Sequence, residues 1–144
     1  MTRTVRDAMT ENPRSIGAAD SIVDAARMMR DDGIGSLPVV EEGRLVGMIT
    51  DRDIATRGVG EGIDVRMALV RDVCSADPVA VDSGAALDEA LQLMARNSLR
   101  RLPVVEEMRL VGILAQADVA LEGRTAETGE LVEAISQAPD TERR

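Results

Sequence analysis

The sequence predicts a mixed α/β (α+β) fold made of two copies of one β-α-β-β-α unit, and three observations predict it. Leu37 to Asp53, LPVVEEGRLVGMITDRD, returns 65 residues later as Leu102 to Asp118, LPVVEEMRLVGILAQAD, with no gap between the copies. A match of that length marks an internal duplication. Within each copy the apolar spacing changes from helical to strand periodicity and back. Finally, one repeat of about 60 residues buries too little surface to be secure alone. Two repeats packed through their sheets can share one core.

The elements follow in order. Thr4 to Met9 reads as a short helical turn with Val5, Ala8 and Met9 on one side, ended by Asn12-Pro13. Arg14 to Gly17 reads as a short strand. Asp20 is the expected N-cap of a helix, and Ser21 with Asp24 has capping-box spacing. The helix carries Ile22, Ala25, Ala26 and Met29 on one stripe and stops at Gly33. Ser36–Val40 and Leu45–Ile49 form a hairpin around Glu41-Glu42-Gly43-Arg44. A second helix starts at Thr50 or Asp51 and ends near Gly58.

The second copy repeats this in phase. Val65 to Cys74 restores the short helical turn, because Val70-Arg71-Asp72 matches Val5-Arg6-Asp7. A strand is expected at Val79–Val81 and a helix at Ala85–Asn97. The hairpin is Leu102–Val105 with Leu110–Leu114, and a last helix runs from Gln116 to Glu122. The expected organisation is residues 1–58 as repeat 1, 59–69 as linker and 70–122 as repeat 2. Residues 123–144 are read as a short amphipathic helix (Glu130 to Gln137) with flexible flanks.

Composition removes several function classes. There is no Phe, Tyr, Trp, His or Lys, and all 17 basic residues are Arg. Imidazole general bases, imidazole metal ligands and Schiff-base amines are therefore excluded. Cys74 is the only thiol, so no internal disulfide can form. An enzyme is not expected. The net charge of −9 argues against a nucleic-acid partner. No run is apolar enough to span a membrane, and the N-terminus lacks the apolar core of a signal peptide, so a cytoplasmic protein is expected.

The order DSIVDAARMM, then IGSLPVV, then GRLVGMITDRDI resembles the cystathionine β-synthase (CBS) domain. Two such domains in tandem form the Bateman module, so the resemblance implies two repeats packed through their sheets with pseudo-two-fold symmetry. The resemblance runs from about Met1 to Leu121, so the chain looks like a stand-alone CBS pair. It is similar to the small hypoxic-response type of actinobacteria. Such modules commonly bind adenosine nucleotides in clefts between their repeats and convert occupancy into a change of shape or association. The resemblance therefore implies AMP, ADP or ATP as ligand, no required cofactor, no metal and no catalysis. It also implies a homodimer and a protein partner yet to be identified.

Residue by residue, the resemblance assigns the ribose hydroxyls to Asp53 and a phosphate to Thr50, in the motif T-x-x-D. A carboxylate accepts from both hydroxyls of a vicinal diol, and amides at a helix start also favour phosphate. The same spacing is a capping box, and both roles can coexist. In the second copy Asp118 keeps the ribose position while Ala115 replaces the Thr, so the Asp53 site is expected to be the better one. Ile34, Gly35, Ser36 and Pro38 would lie against the base, with Thr10 and Arg14 from the segment before the first strand. Ile34 and Pro38 also fit ordinary core positions. Arg100 and Arg101 stand where the first copy has Gly35-Ser36. They would reach the phosphates with their planar forks, or else pair with nearby carboxylates. The rival to a nucleotide sensor is an interaction module with a vestigial, ligand-free pocket.

Overall fold

The computed structural model describes residues 3–122. The helix expected at Glu130–Gln137 lies outside them. The fold is mixed α+β, with short strands and helices alternating as the two-copy pattern requires.

Packing divides the chain differently from repetition. Among the described residues, one compact unit holds 14–78 and the other holds 3–13 together with 79–122. The segment ahead of each repeat thus belongs to the unit of the other repeat.

In the unit Arg14–Pro78, strand β2 (Ile16–Gly17) runs parallel to β3 (Ser36–Glu41). Strand β3 pairs antiparallel with β4 (Arg44–Thr50), and β4 with the two-residue β5 (Ser75–Ala76). Helix α2 (Ile22–Asp32) covers the sheet with Ile22, Ala25 and Met29 buried. Its N-cap is Ser21, whose hydroxyl accepts from Asp24 N at 3.0 Å, and not the expected Asp20. Asp20 instead accepts from Gly17 N at 2.8 Å and closes the strand-to-helix turn. Gly33 ends α2 at φ 66, the left-handed geometry that glycine adopts without strain. Ile16, Ile22, Leu37, Val39, Ile49, Val70 and Val73 form the core.

The expected helix after Thr50 is only partly α-helical. Helix α3 is one turn (Asp51–Asp53), and Ile54–Val59 continues as a π-helix that closes through Gly60 N to Ala55 O at 2.7 Å. A Cβ at Gly60 would sit 2.6 Å from Thr56 O, so a bare backbone is what lets this wide turn close. Helix α4 (Val70–Val73) leads into β5.

The other unit is built alike. Helix α1 (Val5–Ala8) and β1 (Thr10–Glu11) come from the N-terminal segment. Strand β6 (Val81–Asp82) is parallel to β7 (Arg101–Glu106), which pairs antiparallel with β8 (Arg109–Ala115); β1 joins the far side of β8. Helix α5 (Leu87–Asn97) buries Leu87, Ala90, Leu91 and Met94 against Val5, Leu102, Val104 and Leu114. Helix α6 (Gln116–Glu122) follows β8.

Candidate binding sites at Asp53 and Asp118

Register puts a polar face on the sheet of the Arg14–Pro78 unit. Ser36 pairs with Thr50, Pro38 with Met48, and Met48 with Ser75. Residues paired across antiparallel strands share a face, as do residues two apart along one strand. Ser36, Pro38, Met48, Thr50 and Ser75 therefore lie together, while Leu37, Val39 and Ile49 point into the core at 0% exposure.

Thr50 and Asp53 sit where this face meets α3. Thr50 N donates to Asp53 Oδ2 at 2.9 Å, and Asp53 N donates to Thr50 Oγ1 at 3.0 Å. That is the reciprocal capping box. It leaves chemistry unused. The second carboxylate oxygen of Asp53 and the O–H of Thr50 have no partner among the described residues. A cap that consumes one lone pair and no hydroxyl proton still leaves an acceptor and a donor for a ligand.

The backbone at α3 contributes less than its motif suggests. Asp51 N is taken by Gly35 O at 2.9 Å, and Asp53 N by Thr50. Gly35 is buried and Ser36 half-buried. Pro38 is buried, and Ile34 packs against the core, so both serve packing.

Two residues expected beside Asp53 make other contacts. Arg14 Nε pairs with Asp32 Oδ2 at 2.9 Å, at the end of α2. Thr10 belongs to the other unit, where its hydroxyl donates to Asp118 Oδ2 at 3.4 Å. The placement of Thr10 follows from the exchange of leading segments between units, whereas Arg14 stays in the unit of Asp32 and Asp53. In the unit of Asp53 the strand that answers to β1 is β5, where Ser75 pairs with Met48 and follows Cys74. Burial pushes the Cys74 thiol above its usual range, and the negative charge of Asp53 adds to that shift. Arg57 Nη1 donates to Val73 O at 3.5 Å and Cys74 O at 3.4 Å, tying the π-helix to the end of α4. Ser75 was not singled out from the sequence, and Cys74 was read there as the lone thiol and not as a site residue. Ser75 lies 65 residues after Thr10, and that offset is the signal that could have found it.

The Asp118 site is looser. Ala115 N reaches Asp118 Oδ2 at 3.4 Å, and no hydroxyl answers from position 115. Arg101 pairs directly with Ala115, and Arg100 O accepts from Gln116 N at 2.8 Å. Among the described residues neither Arg100 nor Arg101 pairs with a carboxylate, and Arg100 Nε is buried without a hydrogen-bond partner.

One further feature is an apolar groove of about 260 Å³ between α2 and the π-helix, lined by Ile22, Val23, Ala26, Ile54, Val59 and Val65 with Arg27 and Arg30 at its edge.

Two copies of a β-α-β-β-α unit, each ending in a helix-start aspartate, correspond to a defined domain. The family profile of the CBS domain matches residues 5–60 and again 70–123. The chain belongs to the CBS-domain family. It is 41% identical over 118 residues to the CBS domain-containing protein YhcV of Bacillus subtilis, covering 82% of this chain and 84% of that one. It is 38% identical over 118 residues to Hypoxic response protein 1 of Mycobacterium tuberculosis, covering 81% and 82%. Among solved structures, CBSX2 in complex with AMP matches with a TM-score of 0.73 at 28% identity, over 83% of this chain and 94% of that chain. The resemblance read from the residues thus becomes membership: a CBS pair whose relatives include a hypoxic response protein. Among the described residues no helix is long and apolar enough to cross a membrane.

Proposed function

We propose that this CBS pair is a regulatory module that binds an adenine nucleotide (AMP, ADP or ATP) and signals by a change of shape or association. The observation that carries this reading is the half-used Thr50–Asp53 pair. Among the described residues the pair keeps one carboxylate oxygen and one hydroxyl proton unused, and Thr50 shares its face with Ser36. A vicinal diol fits the carboxylate, each charge-assisted bond contributing roughly 1.5–3 kcal/mol. Among the described residues the guanidiniums of Arg100 and Arg101 pair with no carboxylate; they suit phosphate, and we assign them that role. The AMP complex of CBSX2 supports the choice of ligand.

Association is the readout we propose. The groove lined by Ile54 and Val59 is apolar, and Val59 is 62% exposed. A second copy of the chain covering it would make a homodimer, with a further protein as its target.

Calorimetry on the purified chain tests the binding. Wild type should take up AMP or ATP, and Asp53→Ala should weaken that uptake about tenfold or more, the equivalent of losing one charge-assisted bond. No heat from either nucleotide at millimolar concentration overturns the reading. The alternative, an interaction module with a vestigial pocket, is favoured by the long 3.4 Å contacts and the missing hydroxyl at Ala115. Unchanged partner capture by Asp53→Ala would select it.

A further inference from the structure

The two copies differ at the cross-strand pair that meets each helix-start aspartate. In the Arg14–Pro78 unit Ser36 pairs with Thr50, and Thr50 shares the reciprocal cap with Asp53. In the other unit Arg101 pairs with Ala115, whose N reaches Asp118 Oδ2 at 3.4 Å. Two hydroxyls in one copy are an arginine and a methyl group in the other. Beside them, Pro38, Met48 and Ser75 of the first unit answer to Pro103, Ile113 and Thr10 of the second. None of the five positions is basic in the first unit, whereas Arg101 brings a cation to the second. That cation is not spent within the chain. Arg101 is half-buried, and among the described residues its guanidinium makes no ion pair or hydrogen bond. Its pairing puts its Cβ about 4.5–5.5 Å from that of Ala115, a gap shorter than the arginine stem. Both hydrogen bonds to Asp118 fall on Oδ2, so among the described residues its other oxygen stays open, as at Asp53.

We propose that the two aspartates serve different ligand classes: the Asp118 site takes only a phosphorylated adenine nucleoside, with Arg101 on the phosphate, whereas the Asp53 site also takes the uncharged nucleoside. The inference rests on the adenine-nucleotide reading. Each site offers a carboxylate oxygen to a ribose diol. At Asp53 the partners beside it are neutral hydroxyls, and a hydroxyl bonds a sugar oxygen as well as a phosphate oxygen. At Asp118 position 115 offers no hydroxyl. The group that remains is a guanidinium, whose planar fork matches two phosphate oxygens. A ligand without phosphate takes hydration from that cation and returns no anion, which is unfavourable. The substitution of Thr50 by Ala115 and of Ser36 by Arg101 is then one change of specificity, carried by one cross-strand pair.

Titration calorimetry with AMP, and with adenosine as the phosphate-free probe, tests this on the full chain. Wild type should show two events with AMP, the weaker one at Asp118, and one event with adenosine. Asp53→Ala should abolish adenosine uptake and leave the weaker AMP event. Arg101→Ser should weaken that remaining event about tenfold or more, the value of one charge-assisted bond. Arg101→Gln, closer in shape, repeats the test if Arg101→Ser melts early. A single AMP event, two adenosine events, or a second AMP event indifferent to both Arg101 variants overturns the inference and leaves the functional reading standing. No binding of either probe by wild type overturns both.

Discussion

Met108 holds a backbone angle that costs it. It sits at φ 71 after Glu107 at φ 50, in the turn of the β7–β8 hairpin. The other hairpin puts Gly43 at that point, at φ 81. Two consecutive positive φ angles make the tight turn that suits strand twist, and a Cβ there is strained by about 1–2 kcal/mol. Met108 is 56% exposed, so little packing offsets that strain. Met108→Gly should stabilise the chain by about 0.5–1 kcal/mol, after the larger chain entropy of glycine when unfolded, seen as a higher urea midpoint. Ser83 is the opposite case. It is 3% exposed, accepts from Arg6 Nη2 at 3.1 Å and donates to Glu106 Oε1 at 2.7 Å, and Arg6 and Glu106 also form an ion pair. The first repeat has Ala18 at this place, with no such network. Ser83→Ala should cost about 0.5–1.5 kcal/mol by thermal or urea melt, because Arg6 and Glu106 lose the hydroxyl that joins them but remain open to water. Cys74 adds a pH expectation. A raised thiol pKa means less thiolate at any pH below it, so iodoacetamide should modify Cys74 more slowly than free cysteine at pH 8. A rate equal to that of free cysteine would contradict the burial.

Strand crossings rule at the scale of elements. Gly47 of β4 faces β5, and a Cβ there would meet Ser75 O at 2.6 Å. That is backbone, which cannot turn aside. Gly112 of β8 faces β1 in the same way. Its nearest obstacle is the Met9 sulfur at 2.6 Å, a flexible end, with Thr10 O at 3.0 Å behind it. Gly47→Ala should therefore destabilise more than Gly112→Ala, the former by about 1–3 kcal/mol, and equal melting points would refute the ordering. The π-helix is another device at this scale. It carries Ile54 and Val59 into the groove directly after Asp53, so one continuous element holds a candidate ligand residue and two groove residues.

At the scale of the whole molecule, the exchange of leading segments matters most. Val5 and Ala8 are core residues of the unit that begins again at Val79, not of the repeat they precede. Deleting residues 1–13 should strip hydrogen-exchange protection from α5, β7 and β8 and largely spare α2, β3 and β4. Loss centred on α2 and β3 would contradict the packing.

Much of this was legible in the chain itself. The duplication announced two equivalent units, and the LPVVEE–RLVG hairpins fell where alternation placed them, because burial of one face fixes period and register together. The start of α2 near Ser21, the stop at Gly33 and the helix-start aspartates were local signals, since capping depends on residues three or four apart. The Arg pair facing Ala115 was visible as an asymmetry between copies. What the sequence alone determined is therefore everything that depends on near neighbours and on comparing one copy with the other. Tertiary structure decided which segment completes which site. Thr10 bonds Asp118 and not the aspartate of its own repeat, and β5 with Ser75 joins β4 in the unit of Asp53. The physical reason is symmetry: both leading segments carry the same apolar turn, so local pattern fits either core. Only packing of the folded chain distinguishes the two.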